Sequence, residues 1–126
     1  VNSVSCAASF TQMAAVAALE GPKDEVEAMI AEFAIRRRVI ADGLRSISGI
    51  NCPEPEGAFY AFPSIKGTGL TSAAFEEKAM NEAGVALLSG SAFGEYGEGY
   101  VRLSYANSQE NIKQAIDKLD KMVRAL

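Results

Sequence analysis

The sequence predicts an α+β domain of two layers, a short, mainly antiparallel sheet with helices packed on one face, preceded by a long helix of the interdomain type. Three observations carry this: apolar stripes at helical spacing towards both ends of the 126 residues, short runs with strand alternation between them, and Gly- or Pro-rich turns separating the runs. With 48% hydrophobic residues a chain of this length can bury a core of its own.

The first helix is expected over 7–20, AASFTQMAAVAALE, where small apolar residues run almost without a charged face until Gly21-Pro22 stops them. A helix that is apolar all round needs cover on every side, so its cover is expected to lie outside these residues. Asp24 is expected to cap a second helix reaching about Ile47, with Glu25 and Glu27 in its first turn and Val26, Met29/Ile30, Phe33, Ile40 and Leu44 at helical spacing. At about 1.5 Å per residue such a helix is roughly 36 Å long, enough to bridge two domains.

Turn-forming Pro53, Pro55 and Gly57 precede AFYAF (58–62), an aromatic-rich strand ended by Pro63. After the turn Lys66-Gly67-Thr68-Gly69, Thr71 or Ser72 caps a short helix of about 73–83, with Phe75 and Met80 as core candidates and Gly84 closing it. VALL (85–88) reads as a buried strand, SGSAFGEYGEG (89–99) as a glycine-shaped loop, and YVRLSY (100–105) as a strand with one covered face, antiparallel to the strand before it. The last helix is expected over 108–125. Asn107 with Glu110 resembles a capping box, and Ile112, Ala115/Ile116, Leu119, Met122/Val123 and Leu126 form one stripe.

Composition removes whole classes of chemistry. Twelve Lys+Arg stand against 16 Asp+Glu, a net charge of −4, so a phosphate-backbone partner is not expected. No histidine is present, which excludes Ser-His-Asp and Cys-His nucleophiles and His-ligated metals from these residues. Cys6 and Cys52 form no CxxC pair, so neither a zinc site nor a disulfide framework is expected, and reduced thiols suit the cytoplasm. No run is long and apolar enough to suggest a membrane span. The chain starts at Val1 in mid-pattern and reads as a piece of something longer.

Period two in YVRLSY puts Val101, Leu103 and Tyr105 on one face and Tyr100, Arg102 and Ser104 on the other. Arg102 is then a guanidinium in mid-strand, suited to two-pronged capture of a carboxylate, although a solvated arginine is the commoner meaning of such spacing. Phe59, Tyr60 and Phe62 are core or pocket lining by the same alternation. The loop glycines Gly90, Gly94, Gly97 and Gly99 match neither a P-loop nor a dinucleotide motif, and turn geometry accounts for them better. Arg36-Arg37-Arg38 fits an ionic helix face, paired with Glu32 or Asp42, and Cys52 before Pro53 a small half-buried residue. The six lysines, Lys23, Lys66, Lys78, Lys113, Lys118 and Lys121, fall on helix starts, polar helix faces or the Gly-rich turn, none of them in the apolar setting a nucleophilic amine needs.

PEGAFYAFPSI (55–65), GVALLSGSAFGEYGEGYVRLSYANS (84–108) and the amphipathic last helix together resemble the C-terminal small domain of class I/II, fold-type I, pyridoxal-phosphate-dependent aminotransferases, near the prokaryotic aspartate aminotransferase branch. NSVSCAASFTQMAAVAALEG (2–21) resembles the family segment that follows the cofactor lysine. The resemblance implies a small domain over 1–126, in which the helix of 1–21 packs on an absent large domain and 22–126 is the small domain proper. It implies that Arg102 binds the substrate α-carboxylate, that Phe59 lines the substrate side, and that Ser3 or Ser5 lies near a partner subunit's site in a homodimer. Ser89 stands where many relatives have proline. The parent would move an amino group between an amino acid and a 2-oxo acid with pyridoxal 5′-phosphate. No residue here corresponds to the cofactor lysine, the aspartate at the pyridine nitrogen or the phosphate ligands, so the fragment is expected to hold no cofactor and to be inactive by itself. The alternative is a stand-alone α+β module that binds a small carboxylate without reaction.

Overall fold

The computed structural model describes residues 6–126, so Ser3 and Ser5 lie outside the described residues. Its elements are α1 (Ser9–Glu20), α2 (Asp24–Ser46), β1 (Tyr60–Ala61), α3 (Ser72–Asn81), β2 (Leu88–Ser89), β3 (Val101–Ser104) and α4 (Gln109–Arg124), with 3-10 turns at Lys66–Thr68, Gly90–Phe93 and Glu95–Gly97. The chain divides into two compact units, one ending at Ala31 and the other running Glu32–Leu126.

In the first unit α1 carries no buried residue, and Phe10, Met13, Val16 and Leu19 are 46 to 78% exposed. Val26, Met29 and Ile30, in the opening turns of α2, are exposed as well. Asp24 is the first helical residue, not the cap: the Lys23 carbonyl accepts from Glu27 N, and Asp24, Glu25 and Glu27 place their charge on the positive end of the helix.

The second unit holds the core. β3 is central, with β1 and β2 antiparallel on its two flanks, Tyr60 opposite Ser104 and Leu88 opposite Arg102. Ile40 and Leu44 of α2, Phe75 and Ala79 of α3, and Ile112, Leu119 and Met122 of α4 pack with Ala61, Val101, Leu103 and Tyr105 in one cluster, so the helices cover the face to which β3 turns its apolar side. The Tyr105 hydroxyl donates to Ala58 O at 2.8 Å, closing that corner of the core.

Several expectations shift. Of the expected strand 85–88 only Leu88 joins the ladder, together with Ser89 from the expected loop. Val85 and Leu87 are buried as expected, but Val85 N donates to Ala79 O at the end of α3, which ties that backbone to the helix instead of to β3. Met80 is 52% exposed, because Phe75 and Ala79 already take the inward face of α3 and the next residue lies about 100° round it. Thr71 caps α3, its hydroxyl accepting from Ala74 N. At α4 the cap is Ser108, whose hydroxyl accepts from Asn111 N at 3.1 Å. Asn107 sits one residue outside, its amide oxygen accepting from Ser108 N and Asn111 Nδ2, which leaves Glu110 a residue short of a capping box. Leu126 lies beyond the end of α4 and is exposed.

Candidate functional site: the open face of the sheet

β3 places its side chains as its alternation predicts. Val101, Leu103 and Tyr105 are buried, whereas Tyr100, Arg102 and Ser104 look away from the helices. Arg102 is partly buried, and among the described residues no carboxylate pairs with it and no oxygen accepts from it. The carbon of its guanidinium lies 4.3 Å from the ring centre of Tyr60 and 4.4 Å from that of Phe93.

These contacts belong to a longer row. Phe59 rests on Tyr60 with centroids 4.4 Å apart; Phe93 meets Phe62 edge-on at 6.0 Å; Phe62 stacks on Tyr100 at 5.6 Å; and Lys66 Nζ lies 5.0 Å from the Tyr100 ring centre. The rings directly against the guanidinium are therefore Tyr60 and Phe93, and Phe59, 42% exposed, stands one ring further out. Phe93 was not singled out by the sequence. It stands alone among glycines and small residues, with no periodic neighbour to mark the face it would take.

The glycine loop that carries Phe93 is built by backbone contact. A Cβ on Gly90 or on Gly97 would overlap the other's carbonyl, and Gly90 N donates to Tyr100 O at 2.8 Å. Gly94 and Gly99, with φ of 120° and 81°, supply the left-handed turns. Buried Ser72, at the start of α3, accepts from Gly99 N at 2.7 Å and Tyr100 N at 3.2 Å and donates to Gly97 O at 3.4 Å, while its own N–H donates to Glu98 Oε1. Glu76 Oε2 accepts from Ser89 N in the same way. One turn of α3 thus sets the path of the loop into β3. Ser72→Ala leaves the buried Gly99 N–H without its acceptor, while Tyr100 N keeps Gly97 O, a loss of about 1–3 kcal/mol, so amide exchange at Gly99 is expected to speed by roughly 5- to 100-fold.

The other candidates are structural. Arg36 pairs with Glu32 at 2.8 Å, Arg37 with Glu54, and Arg45 with Asp42. Glu32 also accepts from Gln109 Nε2 at the start of α4, and the Arg36 and Gln109 hydrogen bonds hold its carboxyl below the usual range. Its contribution is present above the carboxylate's unfolded pKa and fades as pH falls through the lowered one. Cys52 is wholly buried, not half-buried, and burial pushes its thiol up, against a smaller opposing pull from Arg45. Five of the lysines are exposed; the sixth, Lys78, pairs with Glu82 at 2.7 Å. Among the described residues no helix is long and apolar enough to cross a membrane.

Fold and face together define a class: a small α+β domain whose open sheet face carries the Arg102 guanidinium, framed by aromatic rings and unpaired among the described residues. The chain belongs to the class I and II aminotransferases, whose family model matches residues 1–119. It is 43% identical over 116 residues to an aspartate aminotransferase of Pyrococcus horikoshii, covering 90% of this chain and 30% of the relative. Against an aromatic-amino-acid aminotransferase of Thermococcus litoralis the identity is 42% over 121 residues, covering 94% and 31%. Among solved structures, an alanine aminotransferase from Pyrococcus furiosus superposes with a TM-score of 0.88 at 34% identity, covering 96% of this chain and 31% of that one. The chain therefore spans about 30% of the length of the relatives it matches.

Proposed function

We propose that this chain is the small domain of a pyridoxal-phosphate-dependent aminotransferase, in which residues 1–21 pack on a large domain and 22–126 form the small domain proper. The parent, a cytoplasmic homodimer, moves an amino group between an amino acid and a 2-oxo acid. Arg102 holds the substrate α-carboxylate, and Phe59 lines the substrate side of the pocket. The observation that carries this is the guanidinium on the open sheet face, with no acceptor among the described residues and aromatic cover. Matched relatives are named for aspartate, aromatic amino acids and alanine, which differ in side chain and share an α-carboxylate.

Arg102 offers two parallel N–H donors to the two carboxylate oxygens and so orients the substrate about its α-carbon. Movement of the small domain over the bound substrate excludes water from the site, as lids do. Bound pyridoxal phosphate supplies the electron sink that the side chains of proteins lack. These residues do not fit that group: five lysines stand in solvent and Lys78 is engaged by Glu82, so no amine is set in an apolar pocket to hold it. The cofactor lysine, the partner of the pyridine nitrogen and the phosphate ligands belong to the large domain. Absorbance titration separates the two parts: the full-length protein takes up pyridoxal phosphate stoichiometrically and transaminates, and these 126 residues alone give only the weak change of surface lysines. A stoichiometric adduct on the fragment overturns the division.

A further inference from the structure

We propose that Tyr60 and Phe93 are positioning residues, a pair of rings that clamps the Arg102 guanidinium in its carboxylate-binding orientation before substrate arrives. The inference rests on the reading of Arg102 as the carboxylate site and adds what holds that side chain still.

Arginine has a long, flexible stem, and an arginine free in solvent loses that freedom when it binds. Here the freedom is already spent. Tyr60 comes from β1 and Phe93 from the turn directly after β2, so the two flanks of β3 each send one ring to the central cation, at 4.3 and 4.4 Å. Ring faces attract the charge without accepting the in-plane N–H hydrogen bonds. They therefore fix the guanidinium and leave its donors for a ligand, which a neighbouring carboxylate would not do. Each ring is itself buttressed, Tyr60 by Phe59 and Phe93 by the edge contact with Phe62, which is stacked in turn on Tyr100. The rings also thin the water around the cation, which strengthens a charge-assisted pair.

Kinetics in the full-length protein test this, with a saturated monocarboxylate as competitive inhibitor beside the amino-acid substrate. A fixed guanidinium helps ground state and transition state alike, so Tyr60→Leu and Phe93→Leu are each expected to raise KM and the inhibitor Ki together, by roughly tenfold, with kcat little changed. Phe93 is half exposed, so its replacement empties no core. Tyr60→Phe keeps the ring face and is expected to recover most of the affinity lost in Tyr60→Leu. Arg102→Ala is measured alongside. If it impairs binding while both leucine variants keep the parental KM and Ki, the clamp is wrong and the carboxylate reading stands. If Arg102→Ala itself leaves both constants unchanged, both fall. A fall in kcat and thermal midpoint without a matching rise in Ki, or a Tyr60→Phe as weak as Tyr60→Leu, also overturns the clamp.

Discussion

Arg102→Ala in the full-length protein is expected to lower kcat/KM by roughly 30- to several-thousand-fold, with the cofactor absorbance nearly unchanged. Losing one partner of a charge-assisted pair in a closed site costs about 2–5 kcal/mol, and each 1.4 kcal/mol is about tenfold. Arg102→Lys keeps the charge, so its loss is expected to be smaller. It still forfeits the planar fork, and the contact of a flat guanidinium with Tyr60 and Phe93 passes to a compact ammonium. Steady-state kinetics with an α-amino acid and a 2-oxo acid measure both. Near-parental kcat/KM in the alanine variant would return Arg102 to a solvated strand arginine.

Gly97→Ala is expected to cost about 3 kcal/mol, at the upper end of what one added methyl does in a packed site. The new Cβ would meet the Gly90 carbonyl, and neither backbone has room to retreat. Gly90 is tied to Tyr100 O, while Gly97 O accepts from Tyr100 N and from the Ser72 hydroxyl. Gly97 has no positive φ, so the cost is steric and is not a matter of conformational freedom. A loop displaced at this point carries Phe93 away from Arg102. The variant should therefore show both a lowered thermal midpoint and a raised KM for the amino acid. An unchanged melting curve would mean that the loop can part from itself without loss, which the tight backbone contact argues against.

How far these features were legible follows from the length scale on which each is encoded. Periodicity within one element states which residues share a face. The alternation of YVRLSY therefore put Arg102 on the open side of β3, and the stripe of Ile112, Leu119 and Met122 marked the buried side of α4. Thr71 as a cap is equally local and stands where the sequence has it, whereas α3 ends at Asn81, before Gly84. Contacts between distant residues leave no such trace. Nothing in VALL says that Val85 N will turn to Ala79 O and shorten the ladder, and nothing in SAFG says that Phe93 will cross to Arg102. The approach of Gly90 to Gly97, and the Ser72 hydroxyl that anchors the turn, bring that ring across. The 126 residues thus determined the α+β class, the faces and the lone strand arginine, because these depend on backbone repeat and burial within a few residues. Which rings surround that arginine was decided by tertiary packing, because loop paths are set by backbone contacts and buried hydrogen bonds between residues far apart in the chain.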